Sequence, residues 1–314
     1  MRLLLALGGN ALAADDGRVR PQDQIEAARI AMNSVADLLG RDVEVVLTHG
    51  NGPQVGNLLV KNEIAAHVVP PVPLDWCGAS TQATLGFVLM EALDDALRRR
   101  GSKTRCTTIV TRTRVDGKDP GFDKPTKPIG RYLPEEEAAR LIKHGERWEE
   151  RGEKGWRRVV ASPEPLEILD AAAVKSLVDA GFVVVANGGG GIPVVREPEG
   201  LRGVEAVIDK DLGAALLAKT VDAEVLVIAT DVPAAALRFG KPDQKTLGRV
   251  SVTEMRRHAR EGHFGSGSMG PKVEAACRFV EAGGAHAVIT NLDNIEAAVA
   301  GGAGTVVVPD PDRG

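Results

Sequence analysis

Val43-Glu44-Val45-Val46-Leu47 runs directly into Thr48-His49-Gly50-Asn51-Gly52-Pro53. The apolar run has the length of a strand buried on both faces, as in a parallel sheet covered by helices. The glycines that follow carry no side chain, so backbone N–H groups and a helix N-terminus can approach an anion closely. The same order occurs twice more: Leu3 to Leu7 enters Gly8-Gly9-Asn10, and Phe182 to Val185 precedes Gly188 to Gly191. A tight strand-to-helix turn explains any one of these loops equally well. Three of them, at the carboxyl ends of parallel strands, converge on one crevice.

Further apolar runs lie at Thr107 to Val110, Val225 to Ile228 and Thr305 to Val308. Between the runs come helical patterns. In the clearest, Ile25, Ala28, Met32, Val35 and Leu39 recur at spacings of three and four before Gly40, which marks a stop. Others cover Thr81 to Arg100, Leu166 to Ala180, Asp211 to Thr220, Pro271 to Ala282 and Asp293 to Ala300. The alternation predicts an α/β fold: a three-layer αβα sandwich with a mainly parallel open sheet, forming a single domain over residues 1–314. Residues 115–162 break the rhythm with Asp119-Pro120, Lys124-Pro125-Thr126-Lys127-Pro128 and Gly155-Trp156-Arg157-Arg158. They read as a small projecting subdomain over a site, with a solvated linker as the alternative.

Hydrophobic residues at 43% and charged residues at 26% leave ample material for a core and argue against disorder. Aromatics reach only 3%, so Val, Leu, Ile and Ala must build the core, and base-stacking surfaces are poorly stocked. A formal charge of −4 provides no general field for phosphate polymers or anionic lipid. Neither nucleic acid nor membrane is therefore an expected partner; small-molecule substrates are. The run Leu3 to Leu7 is too short for a signal segment or a membrane span. Cys77, Cys106 and Cys277 are odd in number and far apart, which suits a reducing cytoplasm and no metal or disulfide framework.

The glycine loops depart from the known nucleotide fingerprints. Gly50 to Gly56 is one residue too long for the dinucleotide pattern GxGxxG, although Asp75 downstream keeps a dehydrogenase as a competing reading. Gly265 to Lys272 approaches a Walker A loop, but Pro271 displaces the lysine and Val273 replaces the magnesium-binding hydroxyl. Pro271 suits the first position of a helix and places Lys272 in its first turn, at the positive end of the dipole. No nucleophile elbow or zinc motif occurs. His49 reads as a structural hydrogen-bonding residue, and Cys77 as a small buried thiol.

Taken in order, Leu7-Gly8-Gly9-Asn10-Ala11, Thr48 to Gly56, Pro125-Thr126-Lys127-Pro128-Ile129-Gly130, Gly188 to Pro193, Ile208-Asp209-Lys210-Asp211 and Gly267 to Lys272 resemble the carbamate kinase family, a branch of the amino-acid kinase fold. Pro73-Leu74-Asp75, Gly155 to Val160 and Gly240 to Gln244 are similar to it as well. The resemblance implies reversible phosphoryl transfer between ATP and carbamate, usually toward ATP in catabolism, and a homodimer. It places the phosphorylated substrate on residues 1–200 and the nucleotide on 201–314. Departures lie at Pro233-Ala234-Ala235-Ala236, where the family carries an acidic residue and bulkier side chains, and at Phe239, where a tyrosine is usual. A sister kinase acting on another small acid or phosphate, and a nucleotide-binding protein without turnover, are the alternatives.

Carbamate is already an anion, so its oxygen requires no general base. The obstacle is repulsion, roughly 4 kcal/mol for two like charges about 4 Å apart at an effective dielectric near 20, and aimed cations remove it. Lys127, Lys210 and Lys272 are the candidates, with Asp211 organising them. The carboxylates beside Lys210 can position it, with an acid-rich triplet that merely caps a helix as the alternative. Gly8, Gly9, Asn10, Gly50, Asn51, Gly52, Gly189 and Gly190 are expected at the substrate phosphate, and Asp231, Phe239, Lys241, Met269 and Gly270 at ATP or ADP. No Asp/Glu cluster reads as a metal cage, so Mg2+ is expected to rest on phosphates and water.

Overall fold

The strand Leu3 to Leu7 has no exposed surface at any residue, and its side chains serve two different cores. Leu3, Leu5 and Leu7 enter one cluster, while Leu4 and Ala6 enter another on the opposite face, as the two-residue period of a strand requires. A computed structural model describes residues 1–8, 20–41, 43–143, 145–265 and 268–311. Along the chain come β1 (Arg2–Leu7), α1 (Pro21–Leu39), β2 (Glu44–His49), α2 (Gly52–Ala65), α3 (Leu74–Arg99), β3 (Arg105–Thr108) and β4 (Arg112–Arg114). Next are α4 (Pro120–Asp123), β5 (Lys127–Leu133), α5 (Glu135–Lys143), β6 (Trp148–Glu150) and β7 (Trp156–Val160). β8 (Glu167–Ile168), α6 (Ala171–Asp179), β9 (Phe182–Val185), β10 (Ile192–Glu197) and β11 (Gly200–Gly203) return to the main body. The remainder comprises α7 (Lys210–Thr220), β12 (Val225–Thr230), β13 (Ala236–Leu237), β14 (Lys245–Thr246), β15 (Arg249–Ser251), α8 (Val252–Arg260), α9 (Met269–Glu281), β16 (His286–Asn291), α10 (Ile295–Val299) and β17 (Thr305–Val308).

The central sheet has the order β15-β17-β16-β12-β1-β2-β9-β3. Its pairings from β16 to β3 are parallel, and β17 runs antiparallel to β16. Helices α1, α3 and α10 cover one face through residues such as Met32, Leu89 and Ile295; α6, α7, α8 and α9 cover the other through Val174, Leu217, Met255 and Phe279. This is the three-layer αβα sandwich that the apolar runs predict. Burying one such leucine contributes about 1.5–3 kcal/mol.

Between β4 and β8 the chain leaves the sandwich, and β5-β7-β6 form a separate antiparallel sheet with a small core of Leu133, Ala138 and Trp148. Ile129 and Val160 fasten this lobe to Val55, Leu59, Leu74 and Cys77. Asp119 joins its two roots, because one carboxylate oxygen accepts from Gly121 N (2.7 Å) and the other from Glu164 N (3.0 Å). Glu164 in turn pairs with Arg278 on α9.

Several local expectations need correction. The third strand occupies Arg105–Thr108, two residues earlier than its apolar signal, and Val110 is exposed. α1 presents Ala28, Ala31, Met32, Val35, Ala36 and Leu38 to the core, while Ile25 is exposed. Gly40 ends α1 in ordinary right-handed geometry (φ −68°). α6 starts only at Ala171, because Glu167 and Ile168 pair with β4. α9 starts at Met269, so Pro271 is its third residue; Lys272 still lies in the first turn, where backbone donors need no helical acceptor. Within the segment that breaks the rhythm, Lys127 opens the regular strand β5. Among the described residues no helix is long and apolar enough to cross a membrane.

Candidate active site

β1, β2, β9 and β12 are parallel, so their carboxyl ends share one edge of the sheet. There Gly50 N–H donates to Leu7 O (3.0 Å), which sets Gly8 beside the second glycine loop. After β9, Asn187 adopts a left-handed conformation (φ 56°), and Gly189 and Gly190 follow it at φ 67° and 88°. A Cβ on Gly189 would stand 2.2 Å from Asn51 Nδ2, and one on Gly190 would stand 2.9 Å from Ile208 Cβ, so both need glycine. The loops are locked from α3. Asn51 Nδ2 donates to Thr81 Oγ1 (2.9 Å), and Gln82 Nε2 donates to Gly188 O (3.0 Å) and Thr111 O (3.1 Å) while Gln82 Oε1 accepts from Thr111 N (2.8 Å). Thr113 Oγ1 donates to Gly190 O (2.9 Å). Gly52 starts α2 at the rim.

The cations arrive from three elements. Asp209 caps α7: its Oδ1 accepts from Asp211 N (2.9 Å), and its Oδ2 accepts from Lys127 Nζ (2.8 Å), which reaches across from the lobe. One carboxylate thus both caps α7 and pairs with a lysine, but the partner of Asp209 is Lys127, not Lys210. Asp211 is buried and bridges the other two lysines, with Oδ1 2.9 Å from Lys210 Nζ and Oδ2 3.0 Å from Lys272 Nζ. Burial acts to raise the Asp211 carboxyl, yet the two ammoniums outweigh it and hold it below the ordinary carboxylate range. Burial pushes the Lys210 ammonium below its usual value; Asp211 opposes this and the like charge of Lys272 reinforces it. Lys210 carries three N–H donors, and its near acceptor among the described residues is the Asp211 oxygen at 2.9 Å, so donor capacity remains in a buried position. Buried donors in that state are suited to an anionic ligand.

His49 lies under this cluster. Its Nδ1 stands 3.1 Å from Gly50 O and donates there. Burial lowers His49 to about 4, with the Gly50 carbonyl opposing and the Lys210 charge adding to the shift. A neutral imidazole fixed by a backbone carbonyl is the structural role expected for it. Cys77 is fully buried, and burial raises its thiol.

On the nucleotide side, Asp231 follows β12 and accepts from Thr230 Oγ1 (2.9 Å). Gly270 N–H closes on Gly265 O (2.8 Å), and Met269 packs at the margin of the core. Phe239 and Lys241 sit on the β13–β14 connection, where Phe239 is 66% exposed. Among the described residues no hydrogen bond or ion pair joins Asp231, Phe239 or Lys241 to the lysines. Gly9 and Asn10 lie outside the described residues. In the Pro233 to Ala236 departure, Ala235 and Ala236 are buried and Ala235 N–H donates to Thr305 Oγ1 (2.9 Å), so the small residues fill core space. Asp75 lines a cavity of about 600 Å³ together with Phe122, Arg202 and Glu205, and none of the residues of the glycine loops lines it.

Sequence reasoning missed Gln82, Thr81, Thr111, Thr113 and Asn187. Asn187, directly before a glycine run, carried a usable signal, since asparagine tolerates the left-handed conformation.

The amino acid kinase family model matches residues 1–291. Carbamate kinase from Thermococcus kodakarensis is 48% identical over 98% of this chain and 99% of its own length, and that from Pyrococcus furiosus 44% over 98% and 99%. Carbamate kinase from Giardia lamblia, solved with AMP-PNP bound, superposes with a TM-score of 0.93 at 40% identity, covering 98% of each chain. The sequence, the sandwich with its lobe and the lysine-carboxylate crevice agree with these relatives: the chain belongs to the amino acid kinase family, on its carbamate kinase branch.

Proposed function

We propose that the protein is a carbamate kinase, a phosphotransferase that moves a phosphoryl group reversibly between ATP and carbamate and works toward ATP in catabolism. The observation that carries this reading is Asp211, one buried carboxylate holding the ammoniums of Lys210 and Lys272 side by side at the glycine loops. In the synthetic direction a carbamate oxygen forms a bond to the γ-phosphorus of ATP as the bond to the bridging oxygen of ADP breaks. Lys210 and Lys272 neutralise charge on the transferring group, and Asp211 holds them at the required separation. No proton leaves the attacking oxygen, which agrees with a His49 that stays neutral.

Gly8, Gly50, Asn51, Gly52, Gly189 and Gly190 hold carbamoyl phosphate in this reading, together with Gly9 and Asn10, and Lys127 closes over it from the lobe. Asp231, Phe239, Lys241, Met269 and Gly270 hold the nucleotide, in line with the relative that binds AMP-PNP. Asp209 and Asp211 are both engaged by lysines, and Mg2+ bound with the nucleotide would supply further positive charge to the polyphosphate. A homodimer suits the exposed Trp76 and Phe87, about three turns apart on one face of α3. Three unpaired thiols suit the cytoplasm.

A coupled assay supplying ADP, Mg2+ and carbamoyl phosphate, with acetyl phosphate as comparison, tests the proposal. ATP formation selective for carbamoyl phosphate is expected. Equal use of acetyl phosphate supports a sister kinase, and folded protein without ATP formation refutes the reading.

A further inference from the structure

We propose that the C-terminal end of α8 is a site for a divalent transition ion of the Zn2+ class, held by His258, Glu261 and His263. The site grows out of the way α8 stops. Gly262 takes a left-handed conformation (φ 76°), Gly262 N–H donates to Ala259 O (3.1 Å) and His263 N–H donates to His258 O (3.3 Å). This double closure returns the residue just past the helix onto the one that begins its last turn, positions that usually share an apolar contact. Here both are histidines, and their rings meet edge to face with centroids 5.7 Å apart.

Glu261 stands between them. Its Oε2 lies 3.3 Å from His258 Nδ1 and 3.4 Å from His263 Nε2, and all three ligand atoms fall within 4.8 Å of one another. Bonds of about 2.0–2.1 Å in tetrahedral geometry require ligand atoms about 3.3–3.4 Å apart, so both carboxylate-imidazole spacings already fit. The two imidazole nitrogens lie within 4.8 Å of each other, so they must draw together to share one ion. The outer shell is also in place. His258 Nε2, the nitrogen not used as a ligand, faces Glu254 Oε1 at 3.5 Å, the carboxylate-imidazole-metal order that fixes ring orientation. Arg257 stands near the other oxygen of Glu261 (4.0 Å) and near Glu254 (3.6 Å), leaving Oε2 to the histidines. His258 is buried, which gives one ligand a fixed position.

Two imidazoles and a carboxylate select a borderline ion over Mg2+, and three ligands leave one position for water. The bound ion would pin the end of α8 where the chain continues through Phe264-Gly265 toward Met269 and Lys272. None of the three ligands belongs to the phosphoryl-transfer site, so this inference stands apart from the proposed activity.

The test uses whole protein stripped with chelator and titrated with Co2+, then Zn2+, in excess Mg2+ to occupy hard-cation sites. One equivalent of Co2+ should develop the strong visible bands of four-coordinate cobalt, and Zn2+ should abolish them at one equivalent. His263→Gln, at a partly exposed position, should remove the bands and weaken Zn2+ binding more than tenfold. Glu254→Gln should weaken it by about 10–100-fold with the bands retained. Cobalt that keeps the pale spectrum of its hexaaquo ion, or equal Zn2+ affinity in wild type and His263→Gln, overturns the site; unchanged affinity in Glu254→Gln overturns the orienting role of Glu254.

Discussion

Asp211→Asn removes the charge that lets two buried ammoniums coexist and leaves the side chain's size unchanged. In the wild type each lysine lies about 3 Å from a carboxylate oxygen. At an effective dielectric near 20 each attraction is worth about 5.5 kcal/mol, and the substitution deletes both while exposing the repulsion between Lys210 and Lys272. The folded chain does not bear that whole cost, because a cheaper response exists: Lys210, already lowered by burial, releases its proton. The expected stability loss is therefore near the lower end for breaking a buried pair, about 3 kcal/mol. With the Lys210 ammonium stripped of its counter-charge, turnover should fall by roughly 10²–10³, as when an aimed charge is deleted. Lowering the pH favours the ammonium that burial disfavours, so the deficit should shrink as the pH falls. Lys210→Ala has no proton to regain and should show no such recovery. Urea unfolding and pH-rate profiles of both variants decide the matter. Near-wild-type turnover in Asp211→Asn, or a deficit that does not change with pH, refutes the bridging role.

Lys272→Ala and Lys210→Ala should each lower turnover by about two to three orders of magnitude with folding retained, checked by steady-state kinetics beside circular dichroism and melting. Lys127→Ala should cut kcat/KM for carbamoyl phosphate roughly 10–150-fold, the worth of a charged hydrogen bond, with KM for ADP unchanged; amide exchange over residues 115–162 should slow when carbamoyl phosphate binds. His49 takes a proton near 6.5 in the unfolded chain and only near 4 in the fold, so the unfolded state binds more protons between those values. Stability should therefore fall as pH drops through that window, by about 2 kcal/mol at pH 5, and His49→Gln should flatten this slope in urea titrations.

The central strands were legible because burial on both faces forces uninterrupted apolar runs, as at Leu3 to Leu7 and Phe182 to Val185. β16 was not, since its ends, His286 and Asn291, are polar and its apolar stretch follows a glycine-alanine segment. α2 begins Gly52-Pro53 and reads as the continuation of a loop until the chain is seen in space. The lobe shows only as a break in rhythm, because its short strands are charged on their outer side and rest on a core of a few residues. At the site, lysines beside glycines and prolines were conspicuous, whereas Gln82 was not. A glutamine within an apolar helix looks alike in sequence whether it meets water or, as here, satisfies three buried backbone groups.

Mechanically, α9 is a rod held at separate points. Its first turn is fastened at Lys272 to Asp211, and Arg278, about 9 Å farther along the axis, is fastened to Glu164 at the root of the lobe. Arg256 on α8 grips Glu274 and Glu281 along the same rod and supplies a fulcrum. Displacement of the lobe root therefore applies a torque to the helix that presents Lys272. One helix thus ties the turn that presents Lys272 to the root of the lobe that presents Lys127.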